Sequence, residues 1–158
     1  MPCNLLRDRR VLSLDELSLL ARVIGWRRER HGFALTAWVL LPDHWHAIVY
    51  PRHPLTISEI MEAIKVSATR RINRDRGLTG PLFQSRFFDR ALRTVKEYGE
   101  TVEYIHWNPV RRGYVSRSAA WKWSSAQEYA GVSSGEELAE CGLAIDRARL
   151  PADPRALI

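Results

Sequence analysis

Apolar residues recur at helical spacing over residues 14–30, where Leu17, Leu20, Ala21 and Ile24 fall on one side. Ser13 and Glu16 stand before them as a capping box, the hydroxyl answering one orphan amide and the carboxylate another. Gly32 supplies the stop. The pattern then changes to two β-rich apolar runs, 33–41 and 47–50, parted by Leu41-Pro42-Asp43-His44, which reads as the turn of a hairpin. Pro51-Arg52-His53-Pro54 closes the second run. Thr56 with Glu59 is a second capping box and opens a helix to about Arg76, stopped by Gly77. Its inner face is Ile60, Ile64, Ala68 and Ile72, with Met61 beside them. Alternation over 83–92 predicts a third strand. Thr94 with Glu97 is a third capping box, opening a helix over 95–108 that ends because Pro109 disfavours helical geometry at the residue before it. Val102, Ile105 and Tyr98 are its candidate core residues. Trp121-Lys122-Trp123-Ser124-Ser125 leads into a short helix ending at Gly131, with Ser124 or Ser125 as cap.

The order helix, strand, strand, helix, strand, helix predicts an α+β domain: a small antiparallel sheet with helices packed on one face. Residues 3–6 read as the end of a first strand that is otherwise missing, either through a misassigned start codon or a real loss that would expose sheet edges. The expected organisation is one domain over 1–131 and a loosely docked C-terminal tail over 132–158.

Length and composition agree with a single globular domain: 158 residues, 46% of them hydrophobic. No apolar run reaches the roughly 18 residues of a membrane span, and the front lacks the features of a secretory signal, so a cytoplasmic protein is expected. Cys3 and Cys141 lie far apart and suggest neither a zinc site nor a disulfide framework. The net charge is +6. Residues 132–158 hold three arginines against five acids, so the surplus of positive charge sits in residues 1–131. That is the electrostatic footprint of a nucleic-acid binder. Lys65, Arg70, Arg71 and Arg74 on the second helix, with Arg86, Arg90, Arg111 and Arg112, are candidate phosphate contacts, the competing reading being an ordinary solvated face.

His44 and His46 bring chemistry to the hairpin. In a strand they share one face and Trp45 takes the other, the two Cα atoms being about 6.5–7 Å apart. Two imidazoles so placed can converge on one metal ion, with a third ligand to come from elsewhere. Tyr104 and Asn108 lie four residues apart, one above the other on a helix face. The amide oxygen is a neutral hard ligand, and a phenol one turn away could reach the same ion. A tyrosine nucleophile, with a pKa near 10, needs a base or a metal to help remove its proton. Tyr98 is about 240° from Tyr104 round the helix, Tyr114 lies beyond Pro109, and His106 is about 200° away and reads as structural or as a DNA contact.

His44-Trp45-His46 matches the His-hydrophobic-His motif of the HUH single-strand DNA nucleases. Tyr104-Ile105-His106-Trp107-Asn108-Pro109-Val110-Arg111-Arg112-Gly113 resembles the signature of the single-tyrosine, IS200-like transposases, and most of all the REP-associated tyrosine transposases. Gly80-Pro81-Leu82-Phe83-Gln84, Arg86-Phe87-Phe88-Asp89 and Trp121-Lys122-Trp123-Ser124-Ser125 resemble further segments of that family in the right order, so that the likeness covers about 33–131. The resemblance implies a ferredoxin-like sheet with the histidines at its centre. It implies Tyr104 as nucleophile, with His44, His46 and Asn108 holding Mg²⁺ or Mn²⁺. It also implies cleavage and rejoining of single-stranded DNA beside short hairpins through a 5′-phosphotyrosine, by a monomer or a homodimer. Two other readings stay open. One is a decayed or domesticated transposase that binds hairpin DNA without cutting it, the other a metal-dependent hydrolase of small phosphodiesters.

Overall fold

The computed structural model describes residues 2–131 and 143–146. Its elements are β1 (Pro2–Asn4), α1 (Leu14–His31), β2 (Ala34–Leu40), β3 (His44–Tyr50), α2 (Ile57–Arg76), α3 (Val95–Arg111), a 3₁₀ turn (Ser118–Ala120) and α4 (Ala126–Tyr129). The three strands form an antiparallel sheet in the order β1-β3-β2, which puts the histidine strand in the middle. The first strand is short but present: Pro2, Cys3 and Asn4 pair with His46, Trp45 and His44.

Alternation along β3 sorts the sheet into two faces. His44 and His46 share one with Asn4, Pro2 and Val39, while Trp45 and Ala47 share the other with Cys3, Leu40 and Trp38. The tryptophan face is apolar and closed. α1 and α2 pack on each other there, and Leu17, Leu20, Ile24, Ile60, Ile64 and Ile72 join Trp38 and Trp45 in one buried core. α3 lies against the opposite face, with the Tyr104 ring 5.5 Å from that of His46. Trp121 and Trp123 are core anchors, and their indole N–H groups donate to the Leu40 carbonyl and the Ser18 hydroxyl.

Both sheet edges are covered, so neither presents a free ladder. Beside β2, Leu40 N–H donates to the Trp123 carbonyl and Ser125 N–H to the Trp38 carbonyl. Further along, Asp146 N–H donates to Leu35 O, and the Asp146 carboxylate accepts from Leu35 N–H. Residues 143–146, expected in a loose tail, are thus seated on β2 with Leu143 fully buried; the other residues of 132–158 lie outside the described ones.

Beside β1 runs the segment expected to form a third strand. It does not form one: Leu5 and Phe83 make a single bridge, Gln84 N–H reaches Asn4 O, and residues 84–92 carry no strand pairing. Phe88 N–H also reaches Pro2 O at 3.4 Å, but these isolated bonds do not make a regular ladder.

α3 corrects two further expectations. It does not stop at Asn108 but continues to Arg111 with Pro109 inside it. Pro109 is buried, and the turn after it closes through Arg112 N–H to Asn108 O and Tyr114 N–H to Pro109 O. Its capping box is also only half made. Thr94 Oγ1 accepts from Glu97 N–H, but the Glu97 carboxylate accepts from Arg93 N–H and the Arg90 guanidinium instead of from Thr94. α4 is a single turn whose first amide, Ala126 N–H, is answered by Ser124 Oγ.

Candidate active site

β3 delivers two buried imidazoles to the face that α3 crosses. The rings of His44 and His46 meet edge to face with centroids 4.9 Å apart. The His46 ring meets Tyr104 in the same manner at 5.5 Å. Tyr104 keeps 47% of its surface exposed, so a phenol backed by a buried imidazole faces solvent. One turn on, Asn108 is buried and its Nδ2 donates to the Tyr104 carbonyl at 2.9 Å. That bond orients the amide and leaves Oδ1 for another partner.

The two histidines have different surroundings. Burial, reinforced by the adjacent His44, pushes His46 down to about 3, so its imidazole is neutral at ordinary pH. Its Nε2 is buried and has no hydrogen-bond partner. A buried polar atom left unpaired costs about 1–3 kcal/mol. His44 is anchored instead, with Nδ1 2.7 Å from Asp43 Oδ1.

The helix that runs through Pro109 brings two cations to the same place. The Arg111 guanidinium lies 5.4 Å from the Tyr104 ring centroid, and Arg112 Nη1 is 3.6 Å from Asp43 Oδ2. His44, His46, Tyr104, Arg111 and Arg112 are thus joined by a chain of contacts that includes Asp43, and Asn108 is tied to it through the Tyr104 carbonyl. The other basic candidates have other surroundings. Lys65 Nζ donates to the carbonyls of Gln84 and Ser85, Arg71 stacks on Trp26 at 4.2 Å, Arg74 pairs with Asp75 and Arg90 with Glu97. Arg70 and Arg86 are exposed.

The competing tyrosines and the third histidine are engaged elsewhere. The Tyr98 and Tyr129 hydroxyls share a hydrogen bond, Tyr114 stacks on Trp121, and His106 Nε2 bonds Ser125 Oγ at 2.8 Å in a buried setting. Sequence reasoning missed Asp43, which it took only as a turn residue. Its position immediately before His44 was the available signal, but only the fold shows the carboxylate turned back onto the ring.

Among the described residues no group of three His, Cys, Asp or Glu could hold a metal ion. No described helix is long and apolar enough to cross a membrane.

Paired histidines on the central strand of an antiparallel sheet, with a tyrosine-bearing helix laid over them, are the layout of an HUH transposase. The model of the family "Transposase IS200 like" matches residues 7–108, and the chain belongs to that family. It is 34% identical over 123 residues to the REP-associated tyrosine transposase of Escherichia coli (strain K12), an alignment covering 76% of this chain and 71% of that one. Its fold is similar to the solved structure of a REP-associated tyrosine transposase bound to a REP hairpin, with a TM-score of 0.69 at 28% identity over 84% of this chain and 79% of that one.

Proposed function

We propose that this transposase cuts and rejoins single-stranded DNA beside a hairpin, with Tyr104 as nucleophile. The observation that carries the reading is the half-exposed Tyr104 phenol set against buried His46, one helical turn from Asn108. The phenolic oxygen attacks the phosphorus of a phosphodiester, and the bond to the 3′ oxygen breaks. The products are a 5′-phosphotyrosine and a strand ending in a 3′-hydroxyl. The phenol's proton passes to solvent, and the departing oxygen takes one up. One phosphodiester is exchanged for another, so attack by a 3′-hydroxyl on the phosphotyrosine rejoins DNA without an external energy source.

A divalent ion, Mg²⁺ or Mn²⁺ by the family resemblance, fits the residues present. His46 offers a buried neutral imidazole whose Nε2 lacks a partner, His44 has Nδ1 engaged and Nε2 left over, and Asn108 has a free Oδ1. When bound, such an ion polarises the phosphodiester and stabilises charge that builds on its oxygens. Arg111 and Arg112 are placed to hold the phosphate group at the Tyr104 hydroxyl. Lys65, Arg70, Arg71, Arg74, Arg86 and Arg90 lie outside this cluster and would contact the DNA away from the cut.

The test is to incubate the full chain with Mn²⁺ and a hairpin oligonucleotide bearing a single-stranded flank, then resolve the products under denaturing conditions. The wild type yields a covalent protein–DNA adduct and Tyr104→Phe yields none. Equal adduct from both would remove Tyr104 as nucleophile. Hairpin binding by both, with no adduct from either, would favour the binding-only reading.

A further inference from the structure

The β2–β3 turn carries a carboxylate, Asp43, that reaches two groups of the site. Its backbone is held from three sides without any side chain: Leu5 N–H donates to Asp43 O, Leu12 N–H to Pro42 O, and Leu41 N–H to His44 O. Besides its own backbone N–H, the Asp43 carboxylate meets two groups of the site. Oδ1 meets His44 Nδ1 at 2.7 Å, and Oδ2 faces Arg112 Nη1 at 3.6 Å. A carboxylate on Nδ1 selects the imidazole form that carries its proton there and leaves the Nε2 lone pair free. Arg112 is the C-terminal cap of α3, its own N–H bonded to Asn108 O at 3.0 Å. The second carboxylate oxygen thus faces the end of the helix that holds Tyr104 and Asn108.

From this geometry we infer that Asp43 is the positioning residue of the site. It sets the proton of His44 on Nδ1, so that Nε2 serves as a ligand, and through Arg112 it ties the ligand-bearing turn to the end of α3. The ligand part of this inference rests on the metal reading above; the proton part does not.

Two measurements on the full chain without DNA test this. The first is the ¹⁵N spectrum of the imidazoles in metal-free protein. His44 is expected to carry its proton on Nδ1 in the wild type, and Asp43→Asn to move it towards Nε2, because the new amide donates to Nδ1. The second is calorimetric titration with Mn²⁺. Asp43→Ala and Asp43→Asn are expected to lose affinity roughly 10- to 100-fold, and Arg112→Ala to lose a smaller factor. Unchanged His44 tautomer together with Mn²⁺ affinity within about twofold of wild type would overturn the inference. If Asp43→Ala fails to fold, as judged by circular dichroism, the near-isosteric Asp43→Asn decides by the same criteria. If the wild type takes up no Mn²⁺, the metal reading fails with it, and the tautomer measurement still decides what Asp43 does to His44.

Discussion

The two sides of the sheet obey different rules. On the tryptophan side, α1 and α2 have complete reciprocal capping boxes, left-handed glycine caps at Gly32 and Gly77, and buried inner faces. Arg76 at the end of α2 forks onto Glu16 in the first turn of α1, at 2.6 and 2.8 Å, and also holds the carbonyls of Arg10 and Val11. On the histidine side, α3 carries a proline in its last turn, a half-made cap and an exposed tyrosine, and it lies over the buried His46 imidazole of β3, whose Nε2 has no partner. Buried polar atoms without a partner occur on both sides, the Trp38 and Trp45 indole nitrogens among them, so the contrast lies in the caps, the proline and the exposed tyrosine. The departures from regular helix chemistry, the internal proline and the half-made cap, fall on the helix that carries Tyr104.

The largest test of this contrast sets a core residue of one side against a site residue of the other. Leu20→Ala on α1 removes a fully buried side chain and is expected to cost about 2–5 kcal/mol in urea unfolding. His46→Leu on β3 fills a similar volume and removes a buried nitrogen that has no partner. It is expected to leave stability unchanged or raise it by about 1 kcal/mol while abolishing Mn²⁺ uptake. A loss as large as that of Leu20→Ala would make His46 a structural histidine.

A second test uses acid, because one ion pair of the scaffold responds to it. Hydrogen bonding to Arg76 holds the Glu16 carboxyl at about 2, against its ordinary 4.5, and the two side chains are only 12% and 5% exposed. A carboxyl whose folded value is depressed contributes stability above its unfolded value, and that contribution disappears as pH falls to the folded value. The loss therefore falls between about pH 5 and pH 2 and is on the order of 2 kcal/mol. Glu16→Gln should be less stable than wild type at pH 7 and should lack this part of the acid dependence. Parallel pH curves for the two proteins would show that the pair is not coupled to folding.

The unequal legibility of the two sides follows from the same contrast. Ser13, Glu16 and Gly32, or Thr56, Glu59 and Gly77, act on neighbours within a turn, so spacing alone places both helices to within a residue. The histidine pair was also legible, because a strand's period of two settles which side chains share a face. Tyr104 and Asn108 were legible as a pair on one helix face, but that the helix lies on His46 depends on packing between distant elements. The error over 83–92 had the same origin: alternation states a preference for pairing, and whether the segment forms a regular ladder on β1 or only isolated bonds depends on packing between distant elements. Asp43 stayed hidden because nothing in a turn's composition says where its carboxylate points.

Pro109 is the smallest and sharpest test, because there the two sets of rules collide. Sequence spacing ends α3 at Asn108, yet the helix continues through the proline, and Arg111 and Arg112 reach Tyr104 and Asp43 only because it does. Pro109→Ala returns an N–H to the last turn, which favours the helix. It also removes buried ring carbons, worth about 0.8 kcal/mol per CH₂, and loosens the unfolded chain by about 0.4–1 kcal/mol. These contributions oppose one another, so the net change in urea unfolding is expected to stay within about 1 kcal/mol. The helical path, already adopted against the proline, should persist and keep Arg112 at Asp43, leaving the His44 tautomer unchanged. A His44 proton that moves to Nε2 in Pro109→Ala would instead mean that the packed ring, and not the helix, aims the end of α3 at the turn.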